Sequence, residues 1–202
     1  MTTVTEPPRR QLSPRQAELV DRLIEAAAKE ATEHGYEGMT VRSAARRAGL
    51  APATAYTYFG SKDHLLAEVL WRRLDGLDPV EAASPATRTV ERVTRELTRL
   101  ATFMASEPEL AAAGTTALLG SGAEVRVLRD RFGNRIMTRI AGALGDDGIP
   151  KGALETLNLT LVGAMLSAGM GNLDFEHVAD AMAKAATLVL GQPSNGYRGS
   201  AS

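Results

Sequence analysis

The chain has 202 residues, 44% hydrophobic and 23% charged, the make-up of a soluble globular protein with one large domain or two small ones. No run approaches the roughly 18 apolar residues of a membrane-spanning helix, and no apolar stretch follows Arg9 and Arg10 to form a signal peptide. The absence of cysteine excludes disulfides, thiolate metal sites and cysteine nucleophiles, and the cytoplasm is the expected compartment.

Apolar spacing predicts helices nearly throughout. Leu19, Val20, Leu23, Ile24, Ala27, Ala28 and Ala31 give one apolar face to a helix over residues 14–34, with Ser13 as its cap and Gly35 as its stop. Thr40 caps a short helix whose alanine face ends at Gly49, and Pro52 opens another that reaches about Tyr58. Ser61 caps a fourth, with Leu65, Leu66, Val69 and Leu70 inward. After a break at residues 75–79, Ser84 and Pro85 restart the pattern. Val90 to Met104 mark a long helix, Pro108 begins a shorter one, and Val125 to Leu144 form another that ends at residues 145–148. Residues 150–171 and 174–190 complete the set. The expectation is an all-α fold of about nine helices, between a disordered arm at 1–12 and a disordered Gly/Ser-rich tail at 191–202.

The charge of −1 for the whole chain hides a local contrast. Between Gly38 and Lys62 stand four basic residues, Arg42, Arg46, Arg47 and Lys62, and no acid. In the same window two short helices flank Gly49. A glycine there can take the positive φ of a sharp turn, and Leu50 would plug the angle, as in a helix-turn-helix. Such turns also occur in plain bundles. Thr54, Tyr56, Thr57 and Tyr58, however, crowd four hydroxyls onto the second helix, and hydroxyls and lysines suit phosphate oxygens. Lys62 lies in the first turn of the next helix, where free N–H groups also favour phosphate. The competing reading is a small aromatic core of Tyr56, Tyr58 and Phe59, and Phe59 fits that role.

Gly35-Tyr36 ahead of Thr40, the Ala48-Gly49 turn, the run Tyr56-Thr57-Tyr58-Phe59 and the string Ser61-Lys62-Asp63-His64-Leu65 resemble the DNA-binding signature of the tetracycline-repressor (TetR) family. The resemblance spans residues 15–70. It implies a DNA-binding domain at 13–73 and a regulatory and dimerisation domain at 74–190. It also implies that Thr40 and Arg42 lie at the DNA backbone and that Pro52, Ala53 and Thr54 lie nearest base edges. Tyr56, Thr57, Tyr58 and Lys62 would serve groove and phosphate. Ala51 stands where the family usually has serine, so the reading helix lacks a side-chain cap, at a cost of about 1 kcal/mol. Ala53 stands where glycine is frequent, and its methyl could touch a thymine.

Gly163, Ala164, Ser167 and Ala168, with Ala181, Ala185 and Leu188 on the last helix, are small or apolar residues that permit close helix approach. This fits an intramolecular pair or, as the resemblance implies, a homodimer that reads a palindromic operator at half-sites about 34–36 Å apart. Leu100, Phe103, Met104, Leu119, Phe132, Ile136, Met137, Met165 and Met170 are candidates to line a pocket for an apolar or amphipathic effector, although each also suits a plain core.

An enzyme is not expected. The three histidines have no metal-ligand spacing, His64 is expected to face solvent, and Gly120-x-Gly122 is too short for a phosphate loop. No cofactor, metal or membrane partner is expected. The remaining alternative is a helical adaptor for other proteins without DNA binding, against which the acid-free window and its hydroxyls count.

Overall fold

Nine α-helices and no strand make up the regular structure of the described residues. The computed structural model describes residues 13–78, 88–145 and 149–191. The expected arm, the tail after residue 191, the Ser84-Pro85 restart and residues 146–148 lie outside them. The helices are α1 (Pro14–Gly38), α2 (Val41–Arg47), α3 (Pro52–Tyr58), α4 (Lys62–Asp75), α5 (Thr89–Ala105), α6 (Pro108–Leu118), α7 (Ala123–Leu144), α8 (Ala153–Gly169) and α9 (Phe175–Leu190).

Local chemistry sets most of the ends. Ser13 and Gln16 form a reciprocal capping box at α1, and Gly35, at φ 65°, kinks that helix near its end. Thr40 and Ser43 repeat the box at α2, and the Ser61 hydroxyl accepts from the His64 N–H at 3.0 Å to start α4. α8 begins at Ala153, not at Pro150, because Gly152 takes the left-handed conformation at φ 83° and a turn closes from the Ala153 N–H to the Pro150 carbonyl.

Two apolar clusters lie along the molecule. The first packs Leu23, Ile24 and Ala27 of α1 with Val41, Ala44 and Ala45 of α2, Ala55 of α3, and Leu65, Leu66 and Val69 of α4. The second gathers Leu97, Leu100 and Met104 of α5, Ile136 and Ile140 of α7, Leu157 and Leu161 of α8, and Val178 and Met182 of α9. α4 belongs to both, since Leu70 and Leu74 enter the second cluster. α6 also crosses between them: Leu110, Ala113 and Ala117 complete the first cluster and Ala111 joins the second. The expected limit at 73 and 74 therefore falls inside α4, and apolar packing is continuous across it.

Two features hold α4 in place. A Cβ at Gly114 of α6 would stand 2.9 Å from Leu70 Cδ2, so only glycine lets the two helices come this close. Beyond the C-terminus of α4, Arg139 of α7 donates to the carbonyls of Leu77 (2.7 Å) and Asp78 (3.2 Å), and its Nε pairs with Glu96 of α5. Both charged side chains are only 5% exposed. An ion pair this dry is tolerated when further hydrogen bonds satisfy it, as the two carbonyls do here.

Replacing Gly114 with Val should overpack the α4–α6 contact and destabilise the protein by about 1–3 kcal/mol, with Tm falling roughly 2–4 °C per kcal/mol. Thermal denaturation checks this. An unchanged Tm would mean that α6 yields freely.

Candidate nucleic-acid interface and cavity

The turn between α2 and α3 is built as the residues dictate. Gly49 sits at φ 68°, and the Leu50 N–H donates to the Ala45 carbonyl at 2.8 Å while its side chain packs on the first cluster. Ala51 supplies no side-chain cap to α3, and only its carbonyl receives the N–H groups of Thr54 and Ala55. Ala55 and Phe59 are buried and fasten α3 to the cluster. Pro52, Ala53, Tyr56 and Thr57 are exposed, whereas Thr54 and Tyr58 are half-buried, Tyr58 against the first cluster. The Thr57 hydroxyl donates to the Ala53 carbonyl at 3.0 Å and leaves its lone pairs outward.

The four basic residues of the acid-free window are not equivalent. Arg42 and Arg46 are exposed. Arg47 is bound: its Nε donates to Glu30 at 2.6 Å and its terminal nitrogens to both oxygens of Glu33, one of them at 2.7 Å. Glu30 and Glu33 come from α1, so acids outside the window neutralise this arginine and lock α2 onto α1. Burial raises the Glu30 pKa, but hydrogen bonds from Ser43 and Arg47 and the Arg47 charge outweigh it and hold the carboxyl below its usual range. Glu33 is held low chiefly by its hydrogen bond from Arg47. Three donor atoms of Glu30, Glu33 and His34 lie close enough to suggest a metal site, yet the guanidinium already occupies both carboxylates. Arg22 of α1 also donates to the Ala48 carbonyl at 3.0 Å and satisfies the end of α2.

Lys62 is partly committed as well. Its ammonium donates to the Tyr36 carbonyl at 2.9 Å and lies 3.8 Å from the centre of the Tyr36 ring. The Tyr36 hydroxyl donates to Asp63 at 2.6 Å, and that bond, with burial behind it, pushes the phenol up to about 12. The same carboxylate abuts Gly120, where a Cβ would stand 2.9 Å from Asp63 Oδ2. His64, expected in solvent, is half-buried with its ring edge-on to Phe59 at 5.0 Å. Burial lowers its pKa, an effect that Glu124 and Glu68 partly oppose.

A cavity of about 190 Å³ lies between α4, α5, α6, α7 and α8. Leu100, Phe103, Met104, Leu119, Phe132, Ile136 and Met165 line it as the sequence suggested. Met137 and Met170 do not. The α7 face turned to the cavity follows Arg129, Phe132, Gly133 and Ile136, and Met137 is one step round the helix. Met170 caps α8 and is 69% exposed. Missed from the sequence were Leu70 and Leu74 of α4 and Leu161, Val162 and Leu166 of α8, which look like ordinary core residues, together with Gly133 and the polar Thr115, Arg129 and Asn158.

Ala168 needs a second correction. It is 5% exposed and packs in the second cluster of its own chain, because α8 turns that face toward α6 and α9. Ala164 and Ala185 also pack there, partly buried. Gly163 has open space beyond it, and Leu188 is exposed, as are Leu159 and Val162, which the sequence reading passed over. Ser167 and Ala181 are half-buried.

A family model described as bacterial regulatory proteins of the tetR family matches residues 23–69. A helix-turn-helix transcriptional regulator of Mycobacterium tuberculosis (strain H37Rv) is 39% identical over 210 residues, covering 96% of each chain. The transcriptional repressor KstR of Rhodococcus jostii is 31% identical over 131 residues, 65% of this chain and 62% of its own. Among solved structures, the regulator FadR of Bacillus subtilis in complex with stearoyl-CoA aligns with a TM-score of 0.56 at 21% identity, over 86% of this chain and 99% of that one.

The pairing of Arg47 with two depressed carboxylates has a pH signature. Its contribution to stability is full above the ordinary carboxylate range and is lost as pH falls through the lowered folded values. In Arg47→Ala the decline in stability below about pH 4.5 should be shallower than in the wild type, measured by urea denaturation across pH. Parallel pH curves would contradict the assignment.

Proposed function

The chain belongs to the tetR family of helix-turn-helix transcriptional regulators, DNA-binding proteins, and from that premise we propose that it represses transcription as a homodimer on a palindromic operator and is released by an apolar or amphipathic small molecule. The observation that carries the reading is the double membership of α4. Its first turn, Lys62 and Asp63, ties to Tyr36 beside the turn motif, while Leu70 and Leu74 wall the cavity. A ligand that displaces those leucines moves the helix on which the DNA reader is mounted. The relative KstR is named a repressor, and the structural neighbour FadR was solved with stearoyl-CoA, which favours repression and a ligand with an apolar part.

In this reading residues 13–73 form the DNA-binding unit and 74–190 the regulatory one. α3 enters the major groove with Pro52, Ala53 and Tyr56 outermost and Thr54 nearer the scaffold. Thr40, Arg42, Thr57 and Tyr58 meet phosphates, and Lys62 contributes the protons that it does not give to Tyr36. The dimer forms across the outer faces of α8 and α9, where Leu159, Gly163 and Leu188 stand exposed. At 69% and 67% exposure the two leucines give that face apolar surface for a second copy to cover.

Fluorescence anisotropy on fragments of the gene's own promoter tests this. Tyr56→Ala should weaken DNA binding by about 1–3 kcal/mol with little change in Tm, since Tyr56 is exposed and belongs to neither apolar cluster. Leu159→Glu should leave a folded monomer in light scattering and lose DNA binding with it. Unchanged affinity in both variants would defeat the proposal.

A further inference from the structure

We propose that the effector is an anionic amphiphile whose tail fills the cavity and whose head pairs with Arg129; this rests on the effector reading above and narrows its chemistry. Among the described residues Arg129 is the sole charged side chain on the cavity wall, and Thr115 and Asn158 are the only other polar ones. It lies at the open edge, beside Leu119, which is itself exposed. One terminal nitrogen, Nη1, donates to the carbonyls of Leu118 (2.8 Å) and Gly120 (3.3 Å). Among the described residues no acid pairs with this guanidinium, and its Nε and second terminal nitrogen make no hydrogen bond. Arg47 and Arg139, by contrast, are each matched by carboxylates or carbonyls on all three of their nitrogens. Arg129 is instead held in place by two carbonyls with a free donor pair, the fork that a planar or tetrahedral anion accepts.

The wall behind it is hydrocarbon, so the buried part of the ligand carries no polar group beyond what Thr115 or Asn158 could meet. Its volume, about 190 Å³, slightly exceeds the roughly 150 Å³ of a cavity that takes benzene, which suits one ring or a medium alkyl segment. A bound anion would also act on the DNA side. The guanidinium that greets it holds the Gly120 carbonyl, and Gly120 rests against Asp63, the acceptor for Tyr36.

Calorimetry and the fluorescence of Trp71, the chain's sole tryptophan and a neighbour of Leu70 on α4, test the proposal with decanoate, decyl phosphate and 1-decanol below their aggregation concentrations. At least one of the two anions should bind about tenfold tighter than the alcohol, the factor that one charge-assisted hydrogen bond supplies. Whichever anion is tighter names the head group. Arg129→Gln should erase that preference while keeping the affinity for 1-decanol, and Arg129→Lys should restore part of it. If 1-decanol and both anions bind the wild type equally, the anionic head is wrong and the apolar effector stands. If none of the three binds, the cavity is no effector site and both readings fall. The wild-type comparison decides even if Arg129→Gln fails to fold.

Discussion

The close approach of α6 to α4 at Gly114 is the constraint on which the rest of the molecule depends. Because Gly114 carries no side chain against Leu70, α6 can fill the first apolar cluster with Leu110, Ala113 and Ala117 while Thr115 and Leu118 face the cavity. The DNA reader and the cavity therefore share two helices and are not joined by a linker. Overlap of this kind makes a displacement at one end costly to confine there, since packed interiors shift between discrete arrangements and do not deform smoothly.

Two routes connect the ends. One is α4 itself, whose far end is clamped by Arg139 through the carbonyls of Leu77 and Asp78. With that end held, movement of Leu70 would appear chiefly at Lys62 and Asp63. The other runs from Arg129 through Gly120 to Asp63 and Tyr36. Both converge on the junction of α1, α2 and α4, where Thr40 begins the motif. The pairing of Arg47 with Glu30 and Glu33 ties α2 to α1 there, so in the proposed switch a shift would reach α3 through that junction.

The turn motif was legible in the sequence because its determinants are local. Thr40 and Ser43 cap over three residues, Gly49 takes the positive φ, and Leu50 and Phe59 plug the angle beneath. The nine helices of the described residues could be read from their apolar spacing, with side-chain caps marking the starts of α1, α2 and α4. What depended on distant partners was hidden. Arg47 looked like a free cation because its two acids lie 14 and 17 residues earlier on another helix. Ala168 looked like a contact for a twin because small residues mark close approach without saying to which neighbour. Met137 and Met170 were chosen for their chemistry, whereas the phase of α7 and the end of α8 decide what meets the cavity. Leu70 and Leu74 were passed over because a leucine that couples two units reads like any core leucine.

The central claim, that filling the cavity releases DNA, can be tested without knowing the ligand. Gly133 lines the cavity and has nothing within 4 Å of the place a Cβ would take. Gly133→Phe should occupy that space, hold or raise Tm, and weaken binding to the promoter fragment by about tenfold or more, the size of a functional coupling. A variant with Tm held or raised and wild-type DNA affinity would contradict the account.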